Sequence, residues 1–237
     1  MSSSVVICPS LQGAAARTII KALTRTMTAR DGVTSAHAQR VQRYAAALAE
    51  EACIRDPRML EAIDAAALLH DIGKLGIPDH LLHKPGPLTA EEYTQVKQHA
   101  TIGADILSAM EFPGPLALIV RHHHENWDGT GYPDGLRGEA IPIGARVLAI
   151  VDCYDALTSD RPYRRSLSHA RAAAMILERR GTMYDPEIAD AFLRIVQRLQ
   201  SVTGSDRTGS LRVVAKAVWA RRASRILRLA QEEARPL

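Results

Sequence analysis

Apolar positions recur along this chain every three or four residues, the spacing of a helix face, and nowhere in sustained alternation. Gln12 to Ala29 and Ser35 to Cys53 both follow the helical period. In the second, His37, Val41, Tyr44 and Leu48 fall on one stripe at i, i+4, i+7 and i+11. Asp56-Pro57 supplies an N-cap and a first-turn proline for a helix reaching about His70. Thr89-Ala-Glu-Glu92 reads as a capping box opening a helix that leads to His99. Pro113-Gly-Pro115 starts the segment that ends in three consecutive histidines. After a Gly/Pro-rich loop from Glu125 to Pro142, IGARVLAIVDCYDALT reads as a buried helix. Ser168 and Asp185-Pro186 cap two further helices, the last ending near Gln200. SVTGSDRTGS is linker-like, and a basic helix is expected from about Leu211. The pattern predicts an all-α protein.

Composition sharpens this picture in two ways. Aromatic residues make up only 4% of the 237 residues against 46% apolar residues overall, so the core must be built of Ala, Leu, Ile and Val, which favours helices. The net charge of +4 is uneven. From Ser201 onward, eight Lys/Arg face Asp206, Glu232 and Glu233, which leaves the rest of the chain close to neutral. Basicity therefore belongs to the tail, and a nucleic-acid partner is not expected. Cys8, Cys53 and Cys153 form no CxxC pair, which argues against a disulfide framework or a thiolate zinc site and fits a reduced cytoplasm. The start, MSSSVVICPS, has no basic n-region and only a short apolar run before Pro9, so neither a signal peptide nor a spanning helix is expected.

The unusual chemistry lies in the imidazoles. Of nine histidines, His37, His70, His99, His122, His123 and His124 sit on or at the ends of apolar helical segments, whereas His80, His83 and His169 lie in polar or turn-like contexts. Adjacent helical residues point about 100° apart, so His70-Asp71 can serve one site only by converging from two directions. A carboxylate that bridges two metal ions while the imidazole completes one of them fits that requirement. Lys74 falls four residues after His70, on the same helical face. Asp152 lies inside the apolar run Val147 to Cys153, where an unpaired carboxylate would cost several kcal/mol or become protonated. Its cation is either a metal or an arginine such as Arg146. Imidazoles with carboxylates and no thiolates suit Fe, Mn, Ni or Zn better than Mg or Ca. Gly129 and Gly131 permit positive φ and close backbone approach and Pro133 fixes the turn, so RHHHENWDGTGYPDG reads as histidines followed by a rigid loop. In that loop Asp128 is read as an organiser rather than a ligand.

Six blocks in order, TSAHAQRV, LLHDIGKLGIPD, KQHATIGADIL, RHHHENWDGTGYPDGL, RVLAIVDCYDALTSDRPYR and GTMYDPEIADAF, closely resemble the HD-GYP family of bacterial cyclic di-GMP phosphodiesterases, over about Leu23 to Leu199. The resemblance implies a compact HD-type helical bundle enclosing a bimetal site. It implies one metal held by His37, His70, Asp71 and Asp152, with Asp71 bridging to a second held by His99, His123 and His124. His122 is then the surplus imidazole, in a packing or supporting role. A hydroxide between the metals would attack the phosphodiester in line, with Asp71 and Lys74 in catalytic positions and Lys74 serving the phosphate or the leaving 3′ oxygen. Arg161 and Arg164 match family positions that contact substrate phosphates. Gly131 and Tyr132 border the site, Tyr132 either stacking on a guanine or buried structurally. Fe or Mn is expected, with Ni or Zn as alternatives. The products are pGpG, GMP or both.

Two departures stand out. Ala100 replaces the proline that usually follows the third histidine, so that helix entry is expected to shift. Val33 stands where some members carry a glutamate that supports a third metal, so two ions are expected. Three segments follow: 1–22 as an N-terminal stretch, 23–200 as the phosphohydrolase domain, and 201–237 as linker and basic helix. The competing readings are a phosphohydrolase for cyclic GMP-AMP or another nucleotide, and a metal-stabilised scaffold without turnover. The GYP loop is a candidate contact for a GGDEF-type partner. The tail, with Arg221, Arg225 and Arg228 on one face, is read as packing on the body or on a second subunit in a homodimer, or as docking on an anionic membrane.

Overall fold

The computed structural model describes residues 9–31, 35–110, 112, 114–160 and 165–203. Ten α-helices follow one another among the described residues: α1 (Pro9–Asp31), α2 (Ser35–Glu51), α3 (Pro57–Leu69), α4 (Asp79–Leu82), α5 (Ala90–Lys97), α6 (His99–Ser108), α7 (Leu116–His122), α8 (Ile143–Thr158), α9 (His169–Glu178) and α10 (Pro186–Thr203). Among the described residues there is no strand, only an isolated bridge between Arg180 and Tyr184. The fold is all-α, as the periodicity predicts. Helix α1 runs unbroken through residues 22 and 23. The expected basic helix from Leu211, the Val33 position and the two arginines Arg161 and Arg164 lie outside the described residues.

Local chemistry sets several of the helix starts. The Asp56 carboxylate accepts from the Arg58 N–H at 3.1 Å, with Pro57 in the first turn. Thr89 and Glu92 form the reciprocal capping box in full. The segment from Thr89 to His99 is not one helix. It breaks at Gln98, so that α5 ends at Lys97 and His99 opens α6.

Four buried alanines, Ala62, Ala65, Ala66 and Ala67, keep α3 thin enough for α2, α7 and α8 to close around it. The predicted stripe of α2 packs inward as Val41, Tyr44 and Leu48, all essentially without solvent exposure. Tyr44, Tyr154 and Phe192 meet edge to face, with ring centroids 5.4 and 5.0 Å apart, and tie α2, α8 and α10 together. Each such fully buried large side chain contributes about 1.5–3 kcal/mol of transfer free energy. That core holds four helix ends and one helix middle in register: the start of α2, the ends of α3 and α7, the start of α6, and the middle of α8.

Candidate metal centre

His37, His70 and Asp152 present ligand atoms within 4.8 Å of one another, and so do His99, His123 and His124. The two groups share a wall, since the His70 and His123 rings are 5.5 Å apart. Asp71 lies between them. Its Oδ2 is 3.6 Å from His70 Nε2 and its Oδ1 is 3.9 Å from His99 Nε2, so one carboxylate offers an oxygen to each group. Asp152 Oδ1 is 3.7 Å from both His37 Nε2 and His70 Nε2. All seven residues singled out as ligands in the sequence therefore meet in one place.

The ring nitrogens reveal what the site is prepared for. His70, His99 and His123 each direct Nδ1 at the backbone carbonyl three residues earlier, on Ala67, Val96 and Val120, at 3.2, 2.8 and 2.6 Å. A carbonyl can only accept, so each Nδ1 carries the proton and each Nε2 is left with a bare lone pair. Those three Nε2 atoms are buried and have no hydrogen-bond partner. A buried unsatisfied polar atom costs about 1–3 kcal/mol, so three aimed into one cavity call for an electrophile. With two carboxylates beside them and no thiolate, the donor set fits borderline divalent cations.

Asp71 reaches its position through a backbone contact. After α3 the chain tightens into a 3-10 turn, Ile72–Gly76, that packs on the start of α6. A Cβ on Gly73 would lie 1.8 Å from the His99 carbonyl oxygen, so only glycine allows the approach. Because α3 ends at Leu69, Lys74 does not continue the face of His70. Its Nζ instead donates to Asp71 Oδ2 at 2.7 Å. Burial pushes the Asp71 carboxyl up, but the charges of Lys74, His70 and His99 and the Lys74 hydrogen bond outweigh it and hold the group well below the ordinary carboxylate range.

Asp152 is half-buried, and Arg146 pairs with Asp185 at 2.7 Å, which removes the arginine alternative for Asp152. The supporting residue not singled out from the sequence is Asp155, buried one helical turn after Asp152. Its Oδ2 is 2.7 Å from His37 Nδ1, while Arg40 grips the same carboxylate at 2.6 and 3.0 Å and reaches the Ser159 hydroxyl at 2.9 Å. The signal was present as two matching i, i+3 pairs, His37/Arg40 on α2 and Asp152/Asp155 on α8. Carboxylates behind ligating imidazoles usually tune affinity 10–100-fold. Asp155→Asn is accordingly expected to weaken Mn(II) binding at the His37 group by roughly 10–100-fold in a calorimetric titration; an unchanged isotherm would deny Asp155 that role.

The rest of the histidine run builds the loop. His122 turns away from the cluster, with Nδ1 on the Leu118 carbonyl and Nε2 2.9 Å from Asp134 Oδ2. Arg121 clamps Asp134 with two bonds of 2.7 and 2.9 Å, and the Asp134 N–H donates to Glu125 Oε1 at 2.8 Å. Asp128 accepts from the Thr130 N–H and hydroxyl, organising the turn. Gly129 takes φ +83, but Gly131 serves by closeness alone, since a Cβ there would lie 2.3 Å from Asn126 N. Tyr132 packs its ring 4.9 Å from that of His124. His80 and His83 are exposed and outside the cluster, and His169 bonds the Tyr154 hydroxyl.

Burial first, and then neighbouring imidazoles, lower the His123 pKa strongly and push His124 down to about 4; His99 and His169 are lowered too, burial being the first cause. His37 moves the other way. Burial lowers it, but the Asp155 hydrogen bond and the charges of Asp152, Asp155 and Asp71 raise it on balance. A lowered imidazole stabilises the fold fully above its unfolded value of 6.5 and loses that contribution as pH falls toward the folded value. His37 contributes below 6.5 and loses its part as pH rises through its raised value. With four lowered against one raised, chelator-treated protein is expected to melt at lower temperature at about pH 5 than at about pH 7. A flat profile would mean the cluster is protonated in the folded state.

The HD domain family model matches residues 21–188. Over 198 residues the chain is 42% identical to the cyclic di-GMP phosphodiesterase response regulator RpfG of Xanthomonas campestris, covering 83% of this chain and 52% of that protein. It is 36% identical to the 3′3′-cGAMP-specific phosphodiesterase 2 of Vibrio cholerae, over 72% of this chain and 33% of that one. It thus spans about half the length of RpfG or less of such relatives. A solved HDGYP protein from Bdellovibrio bacteriovorus shares the fold, with a TM-score of 0.53 at 23% identity over 68% of this chain and 51% of that chain. With His70-Asp71 at the centre of the cluster and the His123-His124-Glu125 and Gly131-Tyr132-Pro133 blocks beside it, the chain belongs to the HD domain family, in its HD-GYP type.

Proposed function

We propose that this chain is a metal-dependent phosphodiesterase that hydrolyses cyclic di-GMP to pGpG, GMP or both. The observation that carries the reading is the trio of buried, unpartnered Nε2 atoms on either side of Asp71, whose two oxygens face the two ligand groups. His37, His70, Asp71 and Asp152 would hold one divalent ion, and Asp71, His99, His123 and His124 a second. Such ions polarise a phosphate and activate water at neutral pH. Fe or Mn is our assignment, with Ni and Zn as alternatives of the same borderline class.

The chain's own groups then have defined tasks. Lys74 Nζ, held at Asp71, is the group we assign to the scissile phosphate and the leaving 3′ oxygen. Arg161 and Arg164 are assigned to the phosphates on the strength of the RPYR motif. Gly131 and Tyr132 shape the wall beside His124. We place the catalytic unit at residues 23–200, which the extent of the family match supports. The exposed rim of the GYP loop, Thr130, Asp134 and Gly135, is our candidate contact for a GGDEF-type partner. Among the described residues no helix is long and apolar enough to cross a membrane. A cytoplasmic setting, and a basic tail that docks on a second subunit or an anionic membrane, complete the proposal.

Relatives named for cyclic GMP-AMP make that dinucleotide the second reading, but identity is higher to RpfG, named for cyclic di-GMP, at 42%, than to the cGAMP-specific phosphodiesterase 2, at 36%. The test is anaerobically purified protein loaded with Fe(II) or Mn(II) and offered cyclic di-GMP, cyclic GMP-AMP and ppGpp in parallel. Cyclic di-GMP is expected to be consumed fastest. Consumption of none of them by metal-loaded protein would replace the enzyme with a metal-bound scaffold.

A further inference from the structure

Beside the metal cluster, on a helix that supplies none of its ligands, an aromatic and cationic group stands at the surface. Tyr93, on α5, is 49% exposed, the one aromatic among the exposed large apolar side chains of the described residues. Its ring meets that of Tyr132 edge-on with centroids 6.5 Å apart, and Lys97, one turn further along α5, holds its ammonium 5.2 Å from the Tyr93 ring and 5.7 Å from the Tyr132 ring. Among the described residues no carboxylate pairs with Lys97. Tyr132 in turn packs 4.9 Å from His124. Tyr132 thus stands between the candidate ligand His124 on one side and the Tyr93–Lys97 pair on the other. From the cluster outward the order is imidazole, half-buried phenol, then an exposed ring beside the Lys97 ammonium.

This wall is also rigid. The capping box anchors the first turn of α5, and the Arg121–Asp134 clamp fixes the loop that carries Tyr132. A held aromatic face with a neighbouring cation matches a purine joined to a phosphate, because a ring face stacks on any base and an ammonium answers the anion. We propose that Tyr93 and Lys97 bind the substrate, Tyr93 stacking on a purine base of the cyclic dinucleotide and Lys97 facing a phosphate. The inference rests on the phosphodiesterase reading and adds to it the surface that recognises the base.

The test uses the full-length, Mn(II)-loaded protein with cyclic di-GMP as substrate and its bis-phosphorothioate analogue as an equilibrium ligand. Tyr93→Ala is expected to raise both KM and the analogue's Kd by about tenfold or more, with kcat within about twofold, the effect of losing one base–aromatic stack. Tyr93→Trp should bring both back to within about threefold, because it restores the ring face. Lys97→Met should raise KM and Kd in the same direction while keeping the packed stem, and Lys97→Arg should recover them. Unchanged KM and Kd in both Tyr93→Ala and Lys97→Met would overturn the inference. So would a fall in kcat and in metal content at constant KM, which would make Tyr93 a prop for Tyr132 and His124. If the wild-type protein neither binds the analogue nor consumes any cyclic dinucleotide, the phosphodiesterase reading fails first, and that outcome is distinct from a normal wild type with silent variants.

Discussion

Asp71→Ala is expected to lower cyclic di-GMP hydrolysis by roughly 10³-fold, the upper end of what loss of one electrostatic group costs an enzyme. Metal content should fall with it, from about two ions per chain to below one on the proposed reading, because Asp71 would offer an oxygen to each of the two ions. The expectation follows from geometry. Asp71 is the residue whose two oxygens face different ligand groups, so its removal weakens both, whereas Asp152→Ala should affect only the His37 side. The substitution also removes the carboxylate that accepts from the Lys74 ammonium at 2.7 Å, which leaves that positive charge less neutralised beside the ligand groups. Metal analysis and turnover on the same preparation decide the matter. A variant with full metal content and full activity would remove Asp71 from the site altogether.

Gly73→Ala should damage the protein as badly by a different route. The new methyl carbon would collide with backbone on two sides, 1.8 Å from the His99 carbonyl oxygen and 2.5 Å from Gly103 N, and neither can rotate away. The turn carrying Asp71 must then lift off the start of α6. Overpacking of this kind costs roughly 1–3 kcal/mol or more, which for a chain of this size lowers Tm by about 2–4 °C per kcal/mol. At temperatures where the variant remains folded, metal affinity should still fall, because Asp71 and His99 no longer share a register. Gly135→Asn is the comparison. That glycine has φ +65 and open surroundings, and asparagine tolerates the left-handed region, so Tm should barely move. A Tm for Gly73→Ala no lower than that of Gly135→Asn would mean that close approach is not what the Gly73 position demands.

The seven candidate ligands were readable in the sequence because imidazoles and acids on apolar helical segments are conspicuous, and because their blocks resemble a known family. Asp155 and Arg40 went unread for a physical reason. A carboxylate that supports a ligand has the same composition as one that is a ligand, and only the direction of the oxygen toward His37 Nδ1 separates the two. Lys74 illustrates the opposite error. Helical spacing set it on the face of His70, but the helix stops at Leu69 and the following 3-10 turn swings the ammonium onto Asp71. Gly131 was read as allowing both positive φ and close backbone approach and uses only the second, because the two demands call for the same residue.

By itself the sequence determined what is local: the helices and their caps, the Thr89–Glu92 box, the buried stretch of α8, and the inventory of nitrogen and oxygen donors. These depend on residues within a turn or two of one another, so period and side-chain chemistry suffice. Only the tertiary structure decided which nitrogen of each histidine is free, that Arg146 belongs to Asp185 rather than Asp152, and that Asp71 stands between two groups. Those outcomes depend on desolvation and on backbone contacts between segments far apart in the chain, from His37 to Asp152, and no local pattern encodes the distance between them.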